Sequence, residues 1–196
     1  MDAPLLQIKD VKKYFPVKKV RGGEDIAVKA VDSIDLTINS GEIVGLVGES
    51  GCGKSTLGKS ILKLYDITEG QILFHGEDIT NYTEKQMHPL REKIQIIFQD
   101  PYASLNPKKK IVQSVMAPLN ATKKYTKEEK LQKVIAILNE VGLDEKYLEK
   151  YPHEMSGGQR QRVVIARALI NDPELVVCDE PVSALDVSVR SQVLNL

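Results

Sequence analysis

The chain opens on short β-branched and apolar segments at 5–11, 27–31 and 34–38, separated by turn-forming or charged residues. That pattern predicts an antiparallel β layer. Between the first two, Lys18–Asp25 clusters charge around Gly22-Gly23 with nothing to bury, and reads as a solvated hairpin loop. After Ser40-Gly41 the run Glu42-Ile43-Val44-Gly45-Leu46-Val47 is almost continuously apolar, as expected of a strand buried on both faces of a mixed or parallel sheet. It leads directly into glycine-rich residues and a helix pattern over 56–64, and further strands are expected at 71–74 and 94–98.

From Asp100 to about Met155 no strand pattern occurs, and one strong helix is predicted over 127–141. Its apolar residues Leu131, Val134, Ile135, Leu138 and Val141 keep to one face, Thr126 and Glu129 form a capping box, and Gly142 ends it. A second helix over 157–170 and the break at Asn171-Asp172-Pro173 precede a last apolar strand, 175–178, and 187–196 reads as helix. The expected organisation is α/β: a core begun by 1–99, a helical insertion over 100–156, and the core resumed over 157–196. No internal repeat or low-complexity tract interrupts it.

Composition narrows the partners. The 196 residues suffice for one body with a real interior, and 27 Lys plus Arg against 27 Asp plus Glu leave no net field toward nucleic acid or an anionic membrane. Lys108-Lys109-Lys110 and Arg160, Arg162 and Arg167 come without an aromatic stacking platform, so solvated faces and helix salt bridges are expected of them and nucleic acid is not. Met1–Leu6 lacks the charge and apolar stretch of a signal peptide, and no apolar run approaches the roughly 20 residues that span a bilayer. A cytosolic chain is expected, with its two cysteines, Cys52 and Cys178, as reduced thiols without chemistry.

Three segments carry chemistry. Gly48-Glu49-Ser50-Gly51-Cys52-Gly53-Lys54-Ser55 fits a phosphate loop, set between the expected buried strand and a helix. Its glycines let backbone amides curl round phosphates, and the helix start adds partial positive charge. Lys54 is expected to reach the β and γ phosphates, Ser55 to ligate magnesium, and Thr56 to support the α phosphate. Leu175-Val176-Val177-Cys178-Asp179-Glu180 is an apolar strand tipped with two carboxylates; Asp179 suits the magnesium shell and Glu180 the attacking water. Met155-Ser156-Gly157-Gly158-Gln159 offers bare amides, a hydroxyl and a helix dipole to an anion. A second anion cradle in one domain makes sense if it serves the nucleotide on a twofold-related partner.

The order of phosphate loop, Gln99, Ser-Gly-Gly-Gln, strand with Asp-Glu, and Ser183-Ala184-Leu185-Asp186 is similar to the ATP-binding cassette family over essentially the whole chain. The resemblance implies a P-loop ATPase core with an N-terminal antiparallel β layer and an inserted helical subdomain, working as a dimer around two ATP and Mg2+. It makes Gln99 the residue that senses magnesium or the lytic water and couples to transmembrane subunits. It also makes Ser156, Gly157, Gly158 and Gln159 the signature facing the opposing ATP, and Asp186 part of the loop joining the two sites. Met155 stands where the family more usually has Leu, and keeps an apolar residue beneath the loop. An aromatic stacks on adenine near the N-terminus; Tyr14 and Phe15 both qualify, and Phe15 aligns better by spacing.

Tyr14-Phe15-Pro16, the segment Phe98–Pro107, and Tyr151-Pro152-His153-Glu154 look like the ATP-binding subunits of bacterial oligopeptide, dipeptide and nickel importers. Such a subunit would sit at the cytoplasmic face of the membrane on permease subunits, beside an identical or paralogous ATPase. An extracytoplasmic substrate-binding protein would choose the cargo. The family's switch histidine lies on a strand beyond Asp186, where His75, His88 and His153 cannot match it, so a C-terminally truncated chain with slow turnover is expected. The alternatives are a soluble ATPase with the same engine and no permease, or a module that binds nucleotide without turnover.

Overall fold

The computed structural model describes residues 3–18, 26–122 and 124–180. They fall into two compact units, Met1–Arg91 and Glu92–Leu196. The loop expected over 18–25 and the helix expected over 187–196 lie largely or wholly outside the described residues, as does Asp186.

In the first unit β1 (Leu6–Lys18), β2 (Ile26–Ile38), β3 (Glu69–Phe74) and β4 (Glu77–Asp78) form an antiparallel sheet in the order β2-β1-β3-β4. This is the expected layer, extended to include the 71–74 segment. Leu6, Ile8 and Val11 of β1 are all buried. Residues 8 and 11 are three apart and would face opposite sides of a regular strand; a register shift between Ile8↔Leu36 and Val11↔Ile34 turns both inward. Helix α1 (Lys54–Ile61) buries Leu57 and Ile61 and lies against β1 and β2.

Glu42–Val47 departs from expectation. It is not a strand and pairs with none of the described ones, and Ile43 and Val47 are 96% and 94% exposed. An apolar run states a demand for burial but supplies no ladder partner, and the sheet of this unit leaves it out.

In the second unit β5 (Ile94–Ile97) and β6 (Leu175–Cys178) pair in parallel, from Ile94↔Leu175 to Ile97↔Cys178. Parallel strands need a long crossover, and here it is helical: α3 (Pro101–Ser104), α4 (Ile111–Ala121), α5 (Lys127–Glu140) and α6 (Gly157–Leu169). A short helix in the first unit, α2 (Glu84–Met87), completes the series. The fold is α/β, with a helical insertion between sheet segments.

α5 begins as its sequence dictates. Thr126 Oγ1 accepts from the Glu129 amide at 3.2 Å and Glu129 Oε2 from the Thr126 amide at 2.7 Å. Val134, Leu138 and Val141 are buried, but the face is narrower than the periodicity implied: Leu131 is 38% exposed, and Ile137 packs against the core. The sequence reading did not single out α4, which carries Pro118 inside it. Its Ile111, Val115 and Leu119 recur every four residues and are fully buried.

Among the described residues the arginines of α6 form no salt bridge; their partners are a hydroxyl and backbone carbonyls. Arg160 is buried, donates to the Tyr102 hydroxyl and stacks on that ring at 3.5 Å; Arg167 donates to the Ser104 carbonyl. Arg162 donates to the Gly142 carbonyl at 2.9 Å and the Val141 carbonyl at 3.3 Å, satisfying the C-terminus of α5. Both cysteines are free thiols. Among the described residues no helix is long and apolar enough to cross a membrane.

Replacing Leu138 with Ala is expected to cost about 2–5 kcal/mol of unfolding free energy in urea titrations. The same change at the half-exposed Leu131 should cost less than about 1 kcal/mol.

Candidate active site

The first unit carries the phosphate loop. Gly53 is the N-cap of α1 in a left-handed conformation (φ 96°), with no side-chain cap. A Cβ there would lie 1.9 Å from the Ala30 carbonyl oxygen, so glycine is required both by conformation and by the seating of the loop on β2. The first helical bond runs from the Leu57 amide to the Gly53 carbonyl at 2.9 Å. By helix geometry the amides of Lys54, Ser55 and Thr56 precede any intrahelical acceptor and point along the axis. Lys54 Nζ donates to the carbonyls of Gly48 at 2.8 Å and Glu49 at 2.7 Å, and lies 3.6 Å from Cys52 Sγ. The loop 48–53, Ser50 and Gly51 at its tip, thus curls around its own lysine. A Cβ on Gly48 would meet Cys52 Sγ at 2.7 Å.

The two aromatic residues of β1 differ in their commitments. The Tyr14 hydroxyl donates to Asp32, and Lys29 Nζ lies 5.2 Å from its ring centroid. The hydrogen bond from Tyr14 and the nearby Lys29 ammonium hold the Asp32 carboxyl below its ordinary value. Phe15 makes no polar commitment: Tyr65 meets it edge-on at 5.5 Å, and Lys13 Nζ lies 4.8 Å from its centroid. Phe15 pairs with Val28 on β2, two residues from Ala30, where Gly53 is seated. At about 3.3 Å per residue that places Phe15 about 7 Å along the strand from the loop's end.

The second unit carries the carboxylates. The Asp179 amide still donates to Ile97 at 2.9 Å, continuing the ladder, while Glu180 turns away in a left-handed conformation (φ 49°). That conformation costs a non-glycine residue about 1–3 kcal/mol. Glu180 Oε2 accepts from Gln99 Nε2 at 2.7 Å. Gln99 follows β5 and Glu180 follows β6, so the parallel register brings together residues 81 apart in sequence.

At the start of α6, Ser156 Oγ accepts from the Gln159 amide at 3.3 Å and Gln159 Oε1 from the Ser156 amide at 3.0 Å. The reciprocal cap leaves the Gly157 and Gly158 amides as the ones that helix geometry deprives of an acceptor. A Cβ on Gly157 would meet none of the described residues. Met155 is buried in the core beneath the loop. Sequence reasoning missed Tyr147, whose hydroxyl accepts from Gln159 Nε2 at 3.0 Å; no motif spacing marks it.

Residues 31–183 match the ABC transporter family. The chain belongs to the ABC transporter family. It is 50% identical over 98% of its length to an oligopeptide transport ATP-binding protein of Bacillus subtilis, and 46% identical over its whole length to a dipeptide transport ATP-binding protein of Escherichia coli. It spans 59% of each of these relatives. Among solved structures it resembles a dimeric ATP-binding cassette in a post-hydrolysis state with ADP and Pi, at 29% identity and TM-score 0.86 over 97% of this chain and 80% of that one. The family fold fits the α/β architecture described above.

Two glycine substitutions separate conformation from contact in the phosphate loop of this ABC chain. Gly51 has φ 84° and open space around its missing Cβ. Gly51→Ala is expected to cost about 1–2 kcal/mol, the strain of a left-handed residue alone. Gly53→Ala, which adds collision with the Ala30 carbonyl, should cost clearly more in the same urea titration.

Proposed function

We propose that this chain is the ATP-binding and ATP-hydrolysing part of an ABC importer for oligopeptides or dipeptides, working by dimer closure around two ATP. The observation that carries the reading is the phosphate loop folded around Lys54 and seated on β2 by Gly53. The cargo class is supported by the relatives, which are named for oligopeptide and dipeptide transport.

Lys54 and the amides of 48–56 bind the phosphates, which displace the loop carbonyls from the ammonium. Phe15 rather than Tyr14 stacks on adenine, since its ring has no polar commitment and its distance from Gly53 suits the span from base to phosphate. Ser55, Gln99 and Asp179 offer hard oxygens suited to magnesium, and no cluster of three or more His, Cys, Asp or Glu side chains among the described residues forms an all-protein cage. Magnesium bound with the nucleotide would offset charge on the phosphates. Gln99 uses its amide nitrogen on Glu180, leaving Oε1 for the metal or water, so one side chain links metal occupancy to the carboxylate that orients the attacking water.

Ser156, Gly157, Gly158 and Gln159 close on the nucleotide of a second ATPase subunit, identical or paralogous, with Asp186 at the junction between the two sites. Permease subunits at the cytoplasmic face of the membrane receive the motion, and an extracytoplasmic binding protein delivers the cargo. The solved cassette that this chain resembles is itself described as dimeric with ADP and Pi, which supports the dimer.

Glu180→Gln is expected to trap an ATP-dependent dimer in sedimentation velocity, and adding Ser156→Arg to abolish it. A monomer with and without ATP in the single variant would overturn the scheme. Phe15→Ala is expected to weaken ATP binding roughly tenfold, the loss of one base–aromatic stack, and to leave tripolyphosphate binding unchanged. Tyr14→Ala should leave ATP binding within about twofold if its role is the Asp32 contact alone.

A further inference from the structure

We propose that Tyr147 is a positioning residue for the signature: its hydroxyl holds the Gln159 amide and so sets the Ser156–Gln159 loop in the conformation that closes on the partner's nucleotide. The proposal rests on the dimer reading above.

Gln159 is fixed at both ends of its side-chain amide. Oε1 accepts from the Ser156 amide at 3.0 Å, and Nε2 donates to Tyr147 Oη at 3.0 Å. The other half of the cap, the Gln159 amide to Ser156 Oγ, is longer at 3.3 Å. The orientation of the amide plane, and with it the placing of the Ser156 backbone and hydroxyl, therefore depends on a contact from outside the motif.

That contact comes from a firm support. Tyr147 ends a short 3-10 turn, Glu145–Tyr147, packs against the core of the helical insertion, and its amide donates to the Asp144 carbonyl at 3.1 Å. The next residue, Leu148, accepts from the Val112 amide of α4 at 3.0 Å. Lys146 and Lys150 place their ammonium groups 5.3 and 4.8 Å from the Tyr147 ring centroid. A phenol on this anchored turn can hold a loop that begins a helix, beside the buried Met155 and the cap.

Without the hydroxyl, the Gln159 side-chain amide is held at Oε1 alone, and the Ser156 amide loses a firmly placed acceptor. Tyr147 packs against the core, and phenylalanine in its place keeps the ring while removing only the hydroxyl. Losing the hydroxyl therefore affects closure over the nucleotide and leaves binding of ATP by a single subunit unaffected.

The test is Tyr147→Phe in the full chain carrying Glu180→Gln, with three readouts: thermal melting, ATP binding at protein concentrations that keep the chain monomeric, and dimer formation with saturating ATP by sedimentation. Melting and monomer binding are expected to match the Glu180→Gln parent, while the dimer dissociation constant rises about tenfold for each loop, the scale of one lost hydrogen bond. Both loops act in one closure, so up to about a hundredfold is expected for the dimer. An unchanged dissociation constant overturns the proposal, and so does a parallel loss of stability and monomer binding, which would mark Tyr147 as merely structural. If the Glu180→Gln parent itself stays monomeric with ATP, the dimer reading falls, and this proposal with it. Should the Phe variant not fold, exchange of the Gln159 side-chain amide protons in the unsubstituted chain decides the matter. Slow exchange supports the hydroxyl as its holder, and exchange as fast as a solvated amide overturns it.

Discussion

The seating of Gly53 against the Ala30 carbonyl is the contact on which the first unit and its phosphate loop depend. It fixes where α1 begins, and so which amides stand at its head. It also ties the phosphate loop to β2, whose partner β1 carries Phe15. One missing Cβ thereby sets the distance between the loop and the ring proposed to hold the base. The apolar residues of α1, Leu57 and Ile61, keep the helix down on the sheet, and the loop inherits their stability.

What could be read from sequence follows the range over which the determining interactions act. The cap of α5 was legible because Thr126 and Glu129 are three residues apart and need only each other; the cap of α6 has the same spacing, but Ser156–Gln159 read as donors open to an anion, and the structure turns two of them inward. The phosphate loop was legible for the same reason as the cap of α5: Lys54 closes on carbonyls five and six residues behind it. Glu42–Val47 misled because its apolar character states that burial is needed and not which strand will provide it. The arginines of α6 misled because their acceptors, a hydroxyl at 102 and carbonyls at 104, 141 and 142, lie 20 to 63 residues away and are not acidic.

The Gln99–Glu180 pair is intermediate. Glu180 was legible as a functional candidate from its place at the end of an apolar strand, and Gln99 from the family resemblance. Their direct bond was not, because it depends on a parallel register spanning the whole helical insertion. A one-residue slip would exchange the faces of β6 and send Glu180 to the other side. The functional geometry therefore rests on the packing of α4, α5 and α6 that holds the crossover in place.

The two helix starts that face phosphate in this reading are built differently, and the difference matches their tasks. α1 begins at a glycine that brings no side chain to cap its first turn, as suits a ligand the subunit holds for itself. α6 begins with a reciprocal cap that occupies the Ser156 and Gln159 amides and leaves those of the two glycines between them. A loop that must meet a nucleotide held by another subunit cannot rely on the ligand to organise it beforehand. It has to be ordered by its own chain, and side-chain caps order it at the expense of two donors. The loop that keeps its own ligand has no such need, and its lysine rests on backbone carbonyls that phosphate can replace.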